Sequence, residues 1–139
     1  MTVFVDTGVL FAAAAVRDER HERAASILRS VRGDDPFTTD HGVVETWSLL
    51  NSRFDHATAM SFWSGLRGSA LSIEFVQPPD LERAHAIAGI WADQHFDIID
   101  CTSFAVMERL ACTKAASFDR DFAVYRTGVD SKIAFEIVR

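Results

Sequence analysis

The stretch Thr2-Val3-Phe4-Val5-Asp6-Thr7-Gly8-Val9-Leu10 decides the fold. Its first four residues favour a short buried strand, the apolar run is interrupted by an acid, and a helix-compatible segment follows at once. Thr2 to Val5 therefore reads as a strand ending at Asp6, and Thr7 to Ala15 as a helix opened by a hydroxyl or carboxylate cap. The same arrangement recurs near the other end, where Ala115 to Phe118 reads as a strand ending at Asp119. In open α/β sheets the ground beyond the carboxyl ends of strands is where ligands bind, so both acids fall in functional territory. Acids at strand ends also form turns and cap helices, and that alternative stays open for each.

Between these ends, strands and helices alternate. Asp18 to Val31 reads as a charged amphipathic helix stopped by Gly33-Asp34-Asp35-Pro36. The brief strand Phe37-Thr38-Thr39 follows, with Asp40 as N-cap of a helix from His41 to Arg53. A second helix from His56 to Arg67 makes a helical hairpin with it. Leu71 to Val76 is β-rich, Asp80 caps a helix running to about Asp93, and Ile98 to Cys112 forms another. The last strand, Ile133 to Val138, is expected at a sheet edge or in antiparallel pairing. The expected class is α/β with a central, mostly parallel sheet.

Composition narrows the function. With 139 residues, 48% of them apolar, eleven Phe and three Trp, there is material for one domain with a substantial core, which excludes global disorder. No repeat or Pro-rich linker divides residues 1–139, so a single folding unit is expected. The apolar run Val9 to Val16 is far shorter than the roughly 20 residues a membrane helix needs, and no basic flank precedes Asp6 as a secretion signal requires. A cytoplasmic protein without a membrane partner is expected. Cys101 and Cys112, read on one helix, would lie about 16 Å apart, beyond disulfide reach. The net charge of −6 argues against holding nucleic acid by overall charge, yet leaves room for a nuclease whose positive charge is a bound cation.

Asp100 is the most informative acid. Helical spacing places it on a stripe with Phe104, Met107 and Ala111, a face that calls for burial. A carboxylate buried there needs a cation, strong donors or a proton. Asp97 is a suitable cap for the same helix, which frees Asp100 for other work; Asp100 as the cap is the alternative. Glu45 lies nearly opposite Val43, Trp47 and Leu50, so periodicity alone reads it as a solvated helix residue. The histidines show no metal-ligand spacing.

Taken in order, Phe4-Val5-Asp6-Thr7-Gly8-Val9-Leu10, Val44-Glu45, Asp97-Ile98-Ile99-Asp100-Cys101 and Ser117-Phe118-Asp119-Arg120-Asp121-Phe122 resemble the PIN-domain family. The resemblance spans nearly the whole chain and is strongest toward the small ribonuclease toxins of VapBC-type toxin–antitoxin pairs. It implies a PIN-like three-layer α/β/α domain over residues 1–139. By position it places the family's acidic quartet on Asp6, Glu45, Asp100 and Asp119, with Thr7 helping to order the site and Asp97 and Asp121 as possible auxiliaries. It further implies RNA as substrate, a small cognate antitoxin as partner and a homodimer.

The expected chemistry follows from charge. Two carboxylates about 4 Å apart repel by roughly 4 kcal/mol at an effective dielectric near 20, so four converging acids require protons or cations. Hard oxygen donors suit Mg²⁺ or Mn²⁺, whereas Zn²⁺ favours His and Cys. The expected reaction is metal-assisted hydrolysis of RNA phosphodiesters. Arg17, Arg20, Arg23 and Arg120 are candidate phosphate contacts, with pairing to Asp18, Glu19 and Glu22 as the alternative for the first three. Two rival readings remain: a haloacid-dehalogenase-type phosphatase, disfavoured by Gly8 where a second Asp is wanted, and a non-catalytic PIN-like module binding RNA or protein.

Overall fold

The computed structural model describes residues 2–139. Five short strands form one parallel sheet: β1 (Val3–Val5), β2 (Pro36–Thr39), β3 (Ser72–Glu74), β4 (Lys114–Ala116) and β7 (Glu136–Val138), in the order β3-β2-β1-β4-β7. Two further strands, β5 (Arg126–Thr127) and β6 (Ile133–Ala134), make a separate antiparallel pair. The helices are α1 (Thr7–Ala14), α2 (His21–Val31), α3 (Asp40–Arg53), α4 (His56–Leu66), α5 (Pro78–Ile90), α6 (Ile98–Arg109) and α7 (Arg120–Val124).

Three layers follow from strand periodicity. Successive side chains of β1 point to opposite faces, so Val3 and Val5 join Val9, Leu10, Ile27 and Val31 under α1 and α2. Phe4 points the other way, into an aromatic core with Phe104, Phe122 and Tyr125 under α5, α6 and α7. There Phe104 stacks on Tyr125 at 4.3 Å between ring centroids and meets Phe122 edge-on at 4.9 Å. The α3–α4 hairpin closes on α1 through Phe11, Leu50 and Ala59.

β1 lies between β2 and β4, so the chain order reverses beside it. The crevice beyond the carboxyl ends of β1 and β4 is therefore the topological switch point, where Asp6 and the segment from Ser117 to Asp119 come together. The Asp6 amide donates to the Ala116 carbonyl at 3.0 Å, which locks the two strand ends in register. Gly42 allows α3 to approach β2 closely; a Cβ there would stand 2.9 Å from Thr38 Oγ1.

Several boundaries differ from the sequence reading, each for a local reason. Thr39, not Asp40, caps α3 by accepting the Gly42 amide at 3.0 Å, and the Asp40 carboxylate instead accepts the Val76 amide at 2.8 Å. Gln77 caps α5, while Asp80 is its third residue and accepts the Gln77 amide at 2.8 Å; Pro78 and Pro79 occupy positions whose amides a helix leaves unbonded. Asp80 is then gripped by Arg109 at 2.9 Å. The helix carrying Asp100 ends at Arg109, because Ala111 takes a left-handed turn (φ 53°); Cys112 lies beyond it, and both cysteines are free and buried. The C-terminal segment splits at Phe135 into an antiparallel piece and a parallel edge strand. No helix among the described residues is long and apolar enough to cross a membrane.

Candidate active site

A cleft of about 360 Å³ opens at the switch point, within the usual range of roughly 300–1,000 Å³ for ligand sites. Asp6, Glu45, Asp97, Asp100 and Asp119 all line it, together with Thr7. Five acids brought from β1, α3, α6 and the end of β4 thus share one small volume. Among the described residues, no histidine or lysine lines the cleft.

Asp6 is held from two sides. One carboxylate oxygen accepts the Thr7 amide at 2.8 Å and the other accepts the Ser117 hydroxyl at 2.8 Å. With only 5% of its surface exposed, its pKa is pushed up to about 7. Burial is the main cause, opposed by the Ser117 and Thr7 hydrogen bonds and reinforced by Asp119 and Glu45.

Asp97 caps α6, accepting the Asp100 amide at 2.9 Å, so the cap leaves the Asp100 carboxylate uncommitted. That side chain is 6% exposed, and no backbone amide or guanidinium bonds to its oxygens among the described residues. Burial raises its pKa first, then Asp97, Asp6, Asp119 and Asp121, to about 9. Neighbouring Phe104 and Met107 are fully buried, as the helical stripe requires, whereas Ala111 is exposed past the helix end.

Asp119 caps α7, accepting the Asp121 amide at 2.9 Å. Ligand oxygens of Asp100, Asp119 and Asp121 lie within 4.8 Å of one another, the separation expected of carboxylates able to share an ion. Asp121, an auxiliary in the sequence reading, thus belongs to this tight trio. Burial and Asp119 raise its pKa, opposed by the neighbouring Asp100 carboxyl. Glu45 is half-buried and raised by burial, opposed by a Thr7 hydrogen bond and reinforced by Asp97, so it faces the cleft from α3 rather than bulk solvent. Asp6 and Glu45 line the cleft outside the trio itself.

Ser117 is a residue of this cluster that sequence reasoning did not single out. Its buried hydroxyl donates to Asp6 and accepts the Asp119 amide at 3.0 Å, tying two strand ends together. Its signal was a hydroxyl two residues before a strand-ending acid, which is the spacing of a turn that folds back on itself.

The donor set is all carboxylate, which suits a hard divalent cation. Cys101 is next to Asp100, but burial and that acid push its thiol up to about 11, so it offers no thiolate near neutral pH.

The arginines separate clearly. Arg20 and Arg53 line the cleft. Arg23 hydrogen-bonds the Arg139 carbonyl, Arg17 acts on Asp55, and neither Arg17, Arg23 nor Arg120 lines the cleft.

Comparison with known proteins agrees with the geometry. The PIN domain model matches residues 3–127. The chain is 33% identical, over 125 residues covering 87% of it and 92% of the relative, to the 23S rRNA-specific endonuclease VapC20 of Mycobacterium tuberculosis. The crystal structure of that protein, described as a sarcin–ricin loop cleaving toxin, superposes with a TM-score of 0.81 at 30% identity, covering 88% of this chain and 93% of that one. FitAcB from Neisseria gonorrhoeae has the same fold, with a TM-score of 0.66 at 16% identity over 99% and 96% of the two chains. A match from residue 3 to residue 127 and close backbone agreement with such a protein over 88% of the chain leave one assignment: the chain belongs to the PIN-domain family.

Proposed function

We propose that this chain is a divalent-metal-dependent endoribonuclease, a single nuclease domain over residues 1–139 acting as the toxin of a type II toxin–antitoxin pair in the cytoplasm. The observation that carries the reading is Asp100. It is almost wholly buried, has acids for neighbours and pairs with no cation among the described residues, so a carboxyl in its place requires either a proton or a metal ion. The 33% identical relative is named as a 23S rRNA-specific endonuclease, which supports ribosomal RNA as the substrate class.

In this reading Asp6, Asp100 and Asp119 hold Mg²⁺ or Mn²⁺, Glu45 completes or orients the set, and Asp121 and Asp97 adjust its charge. A bound divalent ion supplies Lewis acidity toward the scissile phosphodiester and the attacking water. The protein's part is orientation. Ser117 and the Thr7 amide fix both oxygens of Asp6, Asp97 holds the first turn of α6 so that Asp100 projects inward, and Thr7 steadies Glu45. Water adds to phosphorus and the P–O3′ bond breaks, which leaves 5′-phosphate and 3′-hydroxyl ends. The alternative route through the substrate's own 2′-hydroxyl needs paired His or Lys groups, and none lines the cleft.

A non-catalytic module is the second reading, favoured by the caps that Asp6, Asp97 and Asp119 do form. Those caps leave Asp100 unexplained. The phosphatase reading fares worse, since Gly8 stands where its second acid belongs.

The partner assignments rest on surfaces. Helix α4 buries only Ala59 and leaves Met60 and Trp63 39% and 53% exposed, beside Val44 at 66% on α3. This face suits a second copy of the chain, and a small antitoxin covering the acid cleft would restrain the activity.

The test is cleavage of a structured RNA with Mg²⁺ and with EDTA, followed by analysis of the ends. Metal-dependent cutting that leaves 5′-phosphates is expected. A 2′,3′-cyclic phosphate product that persists in EDTA would overturn the reading.

A further inference from the structure

We propose that Arg20 and Arg53, each laid on a phenyl ring at the wall of the acid cleft, are the groups that grip the RNA backbone on either flank of the scissile phosphate. This rests on the endoribonuclease reading and adds to it the substrate-holding residues.

The need arises from charge. A chain of net charge −6 with five acids lining its cleft repels a polyanion everywhere except where cations are placed. A bound metal serves the one phosphate being cut, while neighbouring phosphates need cations of their own. Arg20 and Arg53 are the basic residues among those lining the cleft. Neither makes an ion pair with a carboxylate among the described residues, although the chain holds twenty acids. Both are exposed at the cleft wall.

Their placement is built from two sides. The Arg20 guanidinium sits 5.0 Å from the centroid of Phe118, the residue immediately before Asp119. The Arg53 guanidinium sits 5.6 Å from the centroid of Phe11, on α1. Glu45, Leu49 and Arg53 follow one another at four-residue intervals on α3, so they share one face, and all three line the cleft. Arg53 stands about 12 Å along the helix from Glu45 at 1.5 Å per residue, so one helix face carries both an acid and a cation to the cleft wall.

A guanidinium resting on a ring is attracted by the ring's π-face and keeps its planar edge of donors free. Such a group loses less freedom on binding than a waving side chain does, and it pairs with phosphate through two parallel hydrogen bonds. Unpaired loop nucleotides, with their backbone accessible and bases splayed, fit this arrangement better than a regular duplex.

The experiment measures equilibrium binding of a fluorescein-labelled RNA stem–loop by anisotropy, together with its cleavage in Mg²⁺, for the wild type, Arg20→Ala, Arg53→Ala, the double variant, and Arg67→Ala as a control of equal charge change outside the cleft. Each single variant should weaken binding and raise KM about tenfold and the double variant about a hundredfold. The slope of log affinity against log salt should fall by about 0.7 for each arginine removed. The Arg67 variant should bind as the wild type does. Arg20→Lys and Arg53→Lys should keep the salt slope but regain only part of the affinity, because Lys keeps the charge without the stacked plane. RNA affinity and salt slope unchanged in both alanine variants would overturn the proposal, as would losses equally large in Arg67→Ala. A wild type that binds RNA through these arginines yet never cuts it would leave this inference standing and remove the nuclease reading.

Discussion

Replacing Asp100 by Asn should stabilise the metal-free protein while abolishing its activity. The carboxyl is ionised in the unfolded chain above about pH 3.8 but is held protonated to about 9 in the fold. A group whose folded pKa lies above its unfolded one stabilises the fold below the unfolded value, and that contribution is lost as pH rises through the folded value. Between pH 3.8 and pH 7 the loss reaches about 4 kcal/mol at 1.36 kcal/mol for each pH unit. Asp6 and Asp121, whose carboxyls are raised in the same cluster, share part of it, since coupled acids titrate as a set. With half the ceiling assigned to Asp100, and about 3–4 °C per kcal/mol for a domain of this size, Asp100→Asn should raise the melting temperature in EDTA by about 5–10 °C at pH 7. The gain should shrink to nothing near pH 4. Saturating Mg²⁺ should close the gap from the other side, because a ligand at a hundred times its Kd stabilises the wild type by about 2.7 kcal/mol and the variant by little. Calorimetric melting at pH 4, 7 and 9, with EDTA and with Mg²⁺, measures all of this. A variant no more stable than the wild type at pH 7 in EDTA would refute the claim that Asp100 is a frustrated carboxylate.

Three further outcomes are expected. Ser117→Ala removes the hydroxyl that bonds both Asp6 and the Asp119 amide, so kcat/KM for RNA should fall about 10- to 100-fold with substantial recovery in Ser117→Thr; full activity in the alanine variant would show that the bridge is dispensable. Mg²⁺ added to unbuffered metal-free protein at pH 7 should release between one and two protons, because Asp100 and about half of the Asp6 population hold protons that the metal displaces, and the release should decline as pH rises through about 7 and then about 9; binding with no proton release would contradict the raised values at both acids. Arg109→Met strips the buried Asp80 of its partner and should destabilise the fold by about 3–5 kcal/mol in urea titration, and a change under 1 kcal/mol would mean that Asp80 finds another donor or takes up a proton.

Much of this arrangement was legible in the sequence because it is written in local periods and caps. The Thr2–Leu10 stretch carried its own strand, acid and helix, and the structure places them there. Asp97 read as the cap that frees Asp100, and its carboxylate does accept the Asp100 amide. What stayed hidden depends on contacts between distant segments. Glu45 reads as a solvated helix residue until α3 is docked beside α1, and only the family resemblance had placed it at the site. Asp40 and Asp80 looked like ordinary caps, yet one accepts the Val76 amide and the other pairs with Arg109, partners that lie 36 and 29 residues away. Ser117 bonds across to Asp6, a partner 111 residues away that no window of local sequence contains. The arginine–phenyl pairs are equally non-local: Arg20 finds Phe118 and Arg53 finds Phe11 only once both ends of the chain have packed around the crevice. The stretch from Phe54 to Trp63 has the aromatic content of a core segment, yet Trp63 is exposed on a helix that buries one residue, which local pattern alone does not reveal.

Crystals of the protein soaked in Mn²⁺ and measured by anomalous scattering give the most direct test of the central claim. A peak among the carboxylates of Asp6, Asp100 and Asp119, lost in crystals of Asp100→Asn, is the predicted result. Crystals that bind Mn²⁺ elsewhere, or leave these oxygens bonded only to protein and water at saturating metal, would contradict it.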